Sequence, residues 1–410
     1  MQFFVSLRRK TYMMTDRFNI KNPESVLRSQ LSASEFHIVS DIKKADFPQG
    51  NQPFFLFPAL ADLHVHFREP GFEYKETIES GAKAAYSAGY GLVCTMPNLN
   101  PAPDCLDNLK IQLDAIQRCK TAVNILPFGC ITKNRQGREP ADYESMLPYV
   151  AGFSDDGNGV EDDDVMEECM HRIASLGGLI VTHCEKGSGD DRERESAEVE
   201  RNIRLARKTG CRLHLCHIST KESIEFIRRG KADGICVSCE TAPHYLLFTK
   251  DDVKGQPNMK MNPPLGTADD RCALVKALKD GTIDVIATDH APHSHEEKSN
   301  GWENSLNGVV GLESAFPVVY THFVKTGIIS FNRFTDLMSR NAYKILHIEQ
   351  PPYYIRVDLS TPYIINSSKF LSKGHSCPFD GMLVQGKVFL NENDNDNDND
   401  NENKYETYGY

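Results

Sequence analysis

Eight apolar runs, mostly separated by helix-like segments, are the feature of this sequence that most restricts its fold. Several runs, such as Leu179-Ile-Val-Thr, are apolar almost throughout, which is typical of parallel strands covered on both faces. Alternating strand-like and helix-like segments favour an α/β architecture, and eight is the number of strands in a TIM-type barrel. We therefore predict a (βα)8 barrel over residues 56–348. Its strands are expected within residues 54–66, 90–96, 123–130, 149–155, 178–183, 211–217, 234–240 and 282–289.

Three segments lie outside this eight-fold pattern. Residues 1–55 and 349–390 flank it, and the stretch 381–390 has strand character. We predict that these two segments pair into a small β-rich appendage. Residues 391–410 repeat Asn and Asp and carry seven acidic residues against one lysine. Because such a repeat has nothing apolar to bury, a disordered acidic tail is expected.

Composition limits the possible partners and compartments. The formal net charge is −11, and Lys and Arg are not clustered, which argues against a nucleic-acid-binding surface. No run of about 18 uncharged apolar residues is present, so no membrane span is expected. The 12 cysteines are scattered, several of them in apolar runs. Reduced, buried thiols in a cytoplasmic protein fit this distribution best.

Six residues of metal-binding types fall where the expected strands end. In a barrel the carboxyl ends of the strands share one mouth, so residues far apart in sequence converge there. The first two are spaced i, i+2 and point to one face of a strand. Four histidines and two carboxylates suit a borderline divalent ion such as zinc, which predicts a metallohydrolase. The six residues are His64, His66, Asp156, His183, His217 and Asp289.

Taken singly, most of these residues have an ordinary structural explanation as well. His183 or His217 alone could be a hydrogen-bonded histidine at a strand end, and Asp156 could belong to an Asp-Gly turn. Asp289 has a further chemical possibility, since a carboxylate beside metal-activated water can take a proton and deliver it later. His214 lies mid-strand, three residues before His217 and therefore on the opposite face, so we expect it to be structural.

Seven short motifs stand at or near the ends of these runs. They are His64-Val-His-Phe-Arg-Glu-Pro-Gly, Met96-Pro-Asn, Ser154-Asp-Asp-Gly, Thr182-His-Cys-Glu, Cys216-His-Ile-Ser-Thr, Lys260-Met-Asn-Pro-Pro-Leu and Ala287-Thr-Asp-His-Ala-Pro-His. With them, residues 56–348 resemble class I dihydroorotase of the amidohydrolase superfamily. Such enzymes reversibly cyclise N-carbamoyl-L-aspartate to L-dihydroorotate in de novo pyrimidine (UMP) biosynthesis.

The resemblance implies a role for each site residue. One or two zinc ions are expected, with two favoured: one held by His64 and His66, the other by His183 and His217. Asp156 would bridge them, and Asp289 would be a further ligand of the first zinc and the general acid/base. The implied substrate contacts are Arg68, Asn98, Asn262, His293, Asn307 and Gly308. An arginine offers the planar donor pair that suits the substrate's carboxylate.

Two features set this chain apart within the family that it resembles. One is the residue expected to bridge the ions, and the other is the length of one segment. No lysine occurs between Lys133 and Lys186, so the fourth strand has no lysine to carboxylate, and the resemblance is to the aspartate-bridged branch. The stretch from His183 to His217 is shorter than the family pattern. The shortening affects the expectation of a lid or of oligomer contacts more than the expectation of metal ligands.

Two other functions remain open from the sequence. A non-catalytic dihydroorotase-like subunit that supports aspartate transcarbamoylase would normally have lost metal ligands, and this chain keeps all six. A hydantoinase or allantoinase would act on a neutral ring, which gives a buried Arg68 no partner. We expect a small-molecule substrate, with a homo-oligomer or aspartate transcarbamoylase as possible assembly partners.

Overall fold

The computed structural model of the protein describes residues 55–185 and 189–389. It contains thirteen strands within those ranges: β1 (Phe55–Pro58), β2 (Leu60–Val65), β3 (Tyr90–Thr95), β4 (Asn124–Pro127), β5 (Phe153–Ser154), β6 (Leu179–Thr182), β7 (Arg212–Leu215), β8 (Val237–Thr241), β9 (Val285–Ile286), β10 (Tyr354–Asp358), β11 (Tyr363–Ile364), β12 (Leu383–Val384) and β13 (Lys387–Phe389).

Strands β2 to β9 form the barrel. Strands β2, β3 and β4 pair in parallel, and so do β5 to β9 in sequence order. Two parallel bridges join these sheets, one between Gly129 and Phe153 and one between Val65 and His290. The bridges close the eight strands into a ring, which confirms the prediction of a (βα)8 barrel.

Helices connect and surround the strands. Neighbouring helices of the outer layer pack on one another, as Asp163–Ser175 does on Asp191–Thr209 and Asp191–Thr209 on Lys221–Ala232. The described helices are α1 (Ile78–Ser87), α2 (Leu106–Arg118), α3 (Tyr143–Met146), α4 (Asp163–Ser175), α5 (Asp191–Thr209), α6 (Lys221–Ala232), α7 (Pro243–Leu247), α8 (Ala268–Asp280), α9 (His295–Ser299), α10 (Gly301–Asn304), α11 (Leu312–Val319), α12 (Phe331–Thr335) and α13 (Asn341–Leu346). None of them has the length and apolar character that a membrane span requires.

Local sequence signals explain several helix boundaries. Helix α1 begins after Thr77, whose hydroxyl accepts a hydrogen bond from the amide of Ser80 in a capping box. Helix α5 begins after Asp190, which caps the amide of Glu193, and stops at Gly210 with a φ of 70°. A left-handed residue at this point is tolerated best by glycine, which has no Cβ to clash.

The appendage is a three-stranded antiparallel sheet in the order β1-β10-β13, beside the pair β11 and β12. The first apolar run therefore divides into two strands, with only Ala59 between β1 and β2. The expected boundary at residue 56 falls inside β1, because β1 pairs with the appendage and the barrel starts at Leu60. Residues 1–54 and the acidic tail at 391–410 lie outside the described residues.

Candidate metal centre

The six ligand-type residues predicted from the sequence lie together at the carboxyl ends of the barrel strands. They belong to or follow β2, β5, β6, β7 and β9, so the barrel brings them together although they span residues 64–289. Each is at most 7% exposed: His64, His66, Asp156, His183, His217 and Asp289.

Asp156 lies at the centre of the cluster. Its Oδ1 is 3.5 Å from Nε2 of His64, 3.7 Å from Nδ1 of His183 and 3.9 Å from Nε2 of His217. Its Oδ2 is 3.7 Å from Nε2 of His66. One carboxylate thus faces both predicted histidine pairs, which is the arrangement needed to bridge two ions.

Asp289 lies against the first histidine pair. Its Oδ1 lies 3.2 Å from Nε2 of His66 and 3.5 Å from Nε2 of His64. Ligands about 2.1 Å from a tetrahedral zinc ion lie roughly 3.4 Å from one another, so these separations suit a shared ion. Ligand atoms of His64, His66 and Asp289 lie within 4.8 Å of one another, and so do those of His64, Asp156 and His217.

Hydrogen bonding provides an independent test of whether a metal fits. Nε2 of His64 and Oδ1 of Asp156 are both buried and have no hydrogen-bond partner among the described residues. Buried polar atoms are rarely left unpaired. The two atoms face each other at 3.5 Å, which is too long for a good hydrogen bond and appropriate for two ligands of one cation.

The electrostatics favour ionised carboxylates at the centre. Burial alone would raise the pKa of Asp156, but the facing His64, His217 and His66 hold that pKa well below its usual range. The pKa of Asp289 is also lowered, since burial is outweighed by His64 and His66. Both aspartates are therefore available as anionic ligands at neutral pH.

The carboxylate of Glu240 orients the ring of His64 from the side that faces away from Asp156. Oε1 of Glu240 lies 2.8 Å from Nδ1 of His64, and its Oε2 lies 3.1 Å from Nε2 of His214. Burial would raise the pKa of Glu240, but hydrogen bonds from these two histidines lower it to about 2. When Nδ1–H of His64 donates to Glu240, the lone pair of Nε2 is left to face the metal position.

His214 therefore has a structural role, although the reason given for it from the sequence is wrong. Strand β7 ends at Leu215, and His217 has a φ of 34°. The alternation of strand faces does not extend from His214 to His217. His214 contacts Glu240 and Ser238 and takes no part in the ligand cluster itself.

The side chain of Asn98 contacts two of the ligand-type residues, His66 and Asp156. Its Oδ1 lies 2.8 Å from Nδ1 of His66, and its Nδ2 donates to Oδ2 of Asp156 at 3.2 Å. The sequence reasoning expected a substrate contact here and missed this bracing role. An amide can accept two hydrogen bonds and donate two, so Asn98 keeps one oxygen lone pair and one N–H for a ligand.

The second histidine pair is braced by a different carboxylate. Nδ1 of His183 lies 2.9 Å from Nε2 of His217, while Nε2 of His183 lies 3.0 Å from Oε2 of Glu185. The hydrogen bond with His183 lowers the pKa of Glu185 to about 2. Asn262 donates to the same carboxylate at 2.9 Å, which places this predicted substrate contact beside the second pair.

Buried carboxylates that the sequence reasoning did not select hold the ligand-bearing turns. Asp155 accepts hydrogen bonds from the amides of Ile131 and Thr132 at 2.9 and 3.1 Å, so it anchors a turn while Asp156 faces the centre. Asp62 accepts from the amide of His64 and from the hydroxyl of Thr288, at 2.9 and 2.6 Å. It thereby ties β2 to the segment that bears Asp289.

Helix α5 supplies two more such anchors. Glu195 accepts hydrogen bonds from the amides of Ser219 and Thr220, two and three residues after His217. Glu198 accepts from the amide of Glu185, two residues after His183. Both glutamates lie on the buried face of α5 with Val199. Acidic residues on the apolar face of a helix were the sequence signal that could have revealed them.

The remaining predicted substrate residues form a second group. Nε2 of His293 lies 2.8 Å from the carbonyl of Asn307, and a Cβ added at Gly308 would lie 2.9 Å from the His293 ring. Burial, with Arg68 and Lys75, lowers the pKa of His293 to about 3. Arg68 is 9% exposed, and its Nε has no partner among the described residues.

Three residues at the centre have a strained backbone. Arg68, His217 and Asp289 have φ values of 39°, 34° and 47°. A positive φ is unfavourable for residues with a Cβ, and such strain tends to persist where a functional geometry requires it.

Comparison with solved structures identifies the class of protein. The barrel is similar to L-hydantoinase from Arthrobacter aurescens, with a TM-score of 0.75 and 25% identity over 84% of this chain and 86% of that chain. It also resembles dihydroorotase from Saccharomyces cerevisiae in complex with 5-fluoroorotic acid, with a TM-score of 0.70 and 18% identity over 82% and 98% of the two chains. The fold is that of the amidohydrolase superfamily of hydrolytic enzymes.

Sequence comparison narrows this class to one family. The chain is 42% identical to the dihydroorotase of Fusobacterium nucleatum over 362 residues, covering 81% of this chain and 84% of that protein. It is 43% identical to the dihydroorotase of Bacillus licheniformis over 356 residues, covering 80% and 83%. A family profile described as Dihydro-orotase-like matches residues 54–193. The chain belongs to the dihydroorotase family.

Proposed function

We propose that this protein is an active dihydroorotase that interconverts N-carbamoyl-L-aspartate and L-dihydroorotate in de novo pyrimidine biosynthesis. The observation that carries the proposal is the convergence of six buried ligand-type residues, with Asp156 at their centre, next to a buried arginine. The family relationship supports the same activity.

We further propose that the resident metal is zinc, with two ions per chain. His64, His66 and Asp289 would hold one ion, and His183 and His217 the other. Asp156 would lie between them as the bridge, which is the aspartate-bridged arrangement. The nitrogen-rich set of ligands suits zinc better than magnesium or calcium, which prefer oxygen. Divalent metal bound here supplies water activation near neutral pH and polarisation of the amide carbonyl.

The protein's own groups account for binding and proton transfer. The buried guanidinium of Arg68 pairs with the ring carboxylate of dihydroorotate, because a planar donor fork matches a carboxylate. Asp289 is the general acid/base. It takes a proton from the water that attacks the ring carbonyl and gives that proton to the departing ring nitrogen. Ring closure runs through the same proton transfers in reverse.

The other substrate contacts are proposed to surround the ring. Asn98 has spare hydrogen-bonding capacity beside the metal ligands, and Asn262 lies beside His183. His293 donates to Asn307 in the structure, so it orders the 307–308 backbone and would reach the substrate by exchanging that partner. The left-handed Gly308, with a φ of 137°, lets this backbone approach closely.

The two alternatives make different chemical demands. A hydantoinase or allantoinase binds a neutral ring, and Arg68 would then remain a buried cation without an anionic substrate group. A non-catalytic subunit has no need for six ligands that face one point.

Association with a second copy or with aspartate transcarbamoylase stays a prediction, as does a cytoplasmic location. All 12 cysteines are free thiols, which suits a reducing compartment.

Purified protein loaded with zinc tests the proposal. L-dihydroorotate should be hydrolysed much faster than hydantoin, allantoin or dihydrouracil, none of which carries the ring carboxylate. Metal analysis on the same sample should give two zinc ions per chain. Faster turnover of a neutral ring would favour the hydantoinase alternative. A protein that retains no zinc after loading and has no activity would favour the non-catalytic subunit.

A further inference from the structure

Lys298 is a buried cation that lies apart from the metal ligands. Its side chain belongs to α9 and is 8% exposed. Nζ donates hydrogen bonds to the carbonyls of Lys260, Leu306 and Gly308, at 3.3, 2.9 and 2.9 Å. These bonds use all three ammonium protons. A buried lysine is normally paired with a carboxylate, whereas backbone carbonyls take that place here.

The three carbonyls belong to two separate segments of the site. One segment runs from Lys260 to Asn262, whose side chain reaches Glu185 and His183. The other is the 306–308 loop, in which the carbonyl of Asn307 contacts His293. The amide of Gly308 also donates to the carbonyl of Lys260 at 3.0 Å. Lys298 therefore stands where the two substrate-facing segments meet.

We propose that Lys298 is a positioning residue for substrate binding, which fixes the 260–262 segment against the 306–308 loop. The inference rests on the proposed function, because it assigns these segments to the substrate. Lys298 takes no part in proton transfer at the reacting atoms. Its contribution is to keep Asn262 and the 307–308 backbone in their bound positions before the substrate arrives, which lowers the cost of binding.

The charge of Lys298 gives this role a pH dependence. Burial and the nearby Lys260 lower the pKa of Lys298 to about 8. Glu297, on the same helix, is paired with Lys75 at 2.9 Å and faces His293 instead. Above about pH 8 a neutral amine has two protons for three carbonyls, so the two segments are held less firmly. KM for dihydroorotate should rise in that range.

Lys298→Met in the full-length, zinc-loaded protein tests the proposal, with steady-state hydrolysis of L-dihydroorotate followed from about pH 7 to about pH 9.5. We expect KM to rise about 10-fold or more, kcat to change less than about threefold, and zinc per chain to stay the same. The rise in KM above about pH 8 should disappear, because Met has no proton to lose.

Lys260→Met is the matched comparison. Its ammonium donates to the carbonyls of Trp302 and Glu303, so its loss leaves the three hydrogen bonds of Lys298 in place. Removing the neighbouring charge should move the rise in KM to higher pH.

Several results would overturn the inference. One is an unchanged KM and pH profile in Lys298→Met, and another is loss of zinc in proportion to activity, which would indicate a general role in the fold. If Lys298→Met does not fold, the comparison of Lys260→Met with wild type decides, and a rise in KM that does not move counts against Lys298. A wild-type protein without dihydroorotate hydrolysis would remove the proposed function itself, and this inference with it.

Discussion

Glu240 and His64 form a buried hydrogen-bonded pair, with Oε1 of the carboxylate 2.8 Å from Nδ1 of the imidazole. Glu240 lies behind the cluster of six ligand-type residues and leaves Nε2 of His64 directed at Asp156 and Asp289. Because Glu240 also contacts His214, one carboxylate fixes the ring of a proposed metal ligand and satisfies a histidine outside the cluster.

Glu240→Gln tests this bracing role. A neutral amide accepts a weaker hydrogen bond from His64, so metal affinity should fall about 10–100-fold, as is usual for carboxylates behind a metal-binding histidine. Competition with a chelator, followed by metal analysis, measures the affinity. Glu225→Gln, at an exposed glutamate that pairs with Arg228, is the control and should bind zinc normally. Equal affinity in both variants would show that Glu240 does not tune the site.

Mutation of the two adjacent aspartates should have different effects on metal content and on stability. Asp156→Asn should lose at least one zinc ion and nearly all activity, while the metal-free protein should be no less stable than metal-free wild type. Asp155→Asn should instead lower the free energy of unfolding by about 1–3 kcal/mol, because Asp155 is hydrogen-bonded to the 131–132 turn. Denaturant unfolding and metal analysis measure the two effects. The reverse pattern would mean that Asp155 is the bridging residue.

Arg68→Met should affect the substrate and leave the metals in place. Charged hydrogen bonds are worth about 1.5–3 kcal/mol each, so the loss of a bidentate pair should lower kcat/KM for dihydroorotate about 100-fold or more. Zinc content should be unchanged, and so should the slow turnover of dihydrouracil, which has no carboxylate. An unchanged kcat/KM for dihydroorotate would remove Arg68 from substrate binding.

The architecture of the barrel could be predicted because its signals are local. Long apolar runs mark parallel strands wherever they occur, and the i, i+2 spacing of His64 and His66 fixes their common face. The division of the first run could not be predicted in the same way. Strands β1 and β2 are separated by Ala59 alone, and only their pairing partners, more than 280 residues away in one case, distinguish them.

The ligand-type residues of the centre could be predicted more easily than the groups that hold them. Histidines and aspartates at strand ends converge by the geometry of the barrel. The carboxylates of Glu240 and Asp62 act through tertiary hydrogen bonds to residues distant in sequence. No spacing rule connects such partners, so their roles became visible only when the fold placed them together.

Asp289 is proposed to transfer the proton in both directions of a metal-dependent ring opening. The most direct measurement is the rate of hydrolysis and of cyclisation, across pH, for wild type and for Asp289→Asn, with zinc content determined on the same samples. We predict that wild-type hydrolysis rises with pH and cyclisation falls, because one direction needs the carboxylate ionised and the other needs it protonated. The Asn variant should lose about 10²–10⁴-fold in both directions while histidine-bound zinc is at least partly retained. Parallel pH profiles for the two directions, or a largely active Asn variant, would contradict the account.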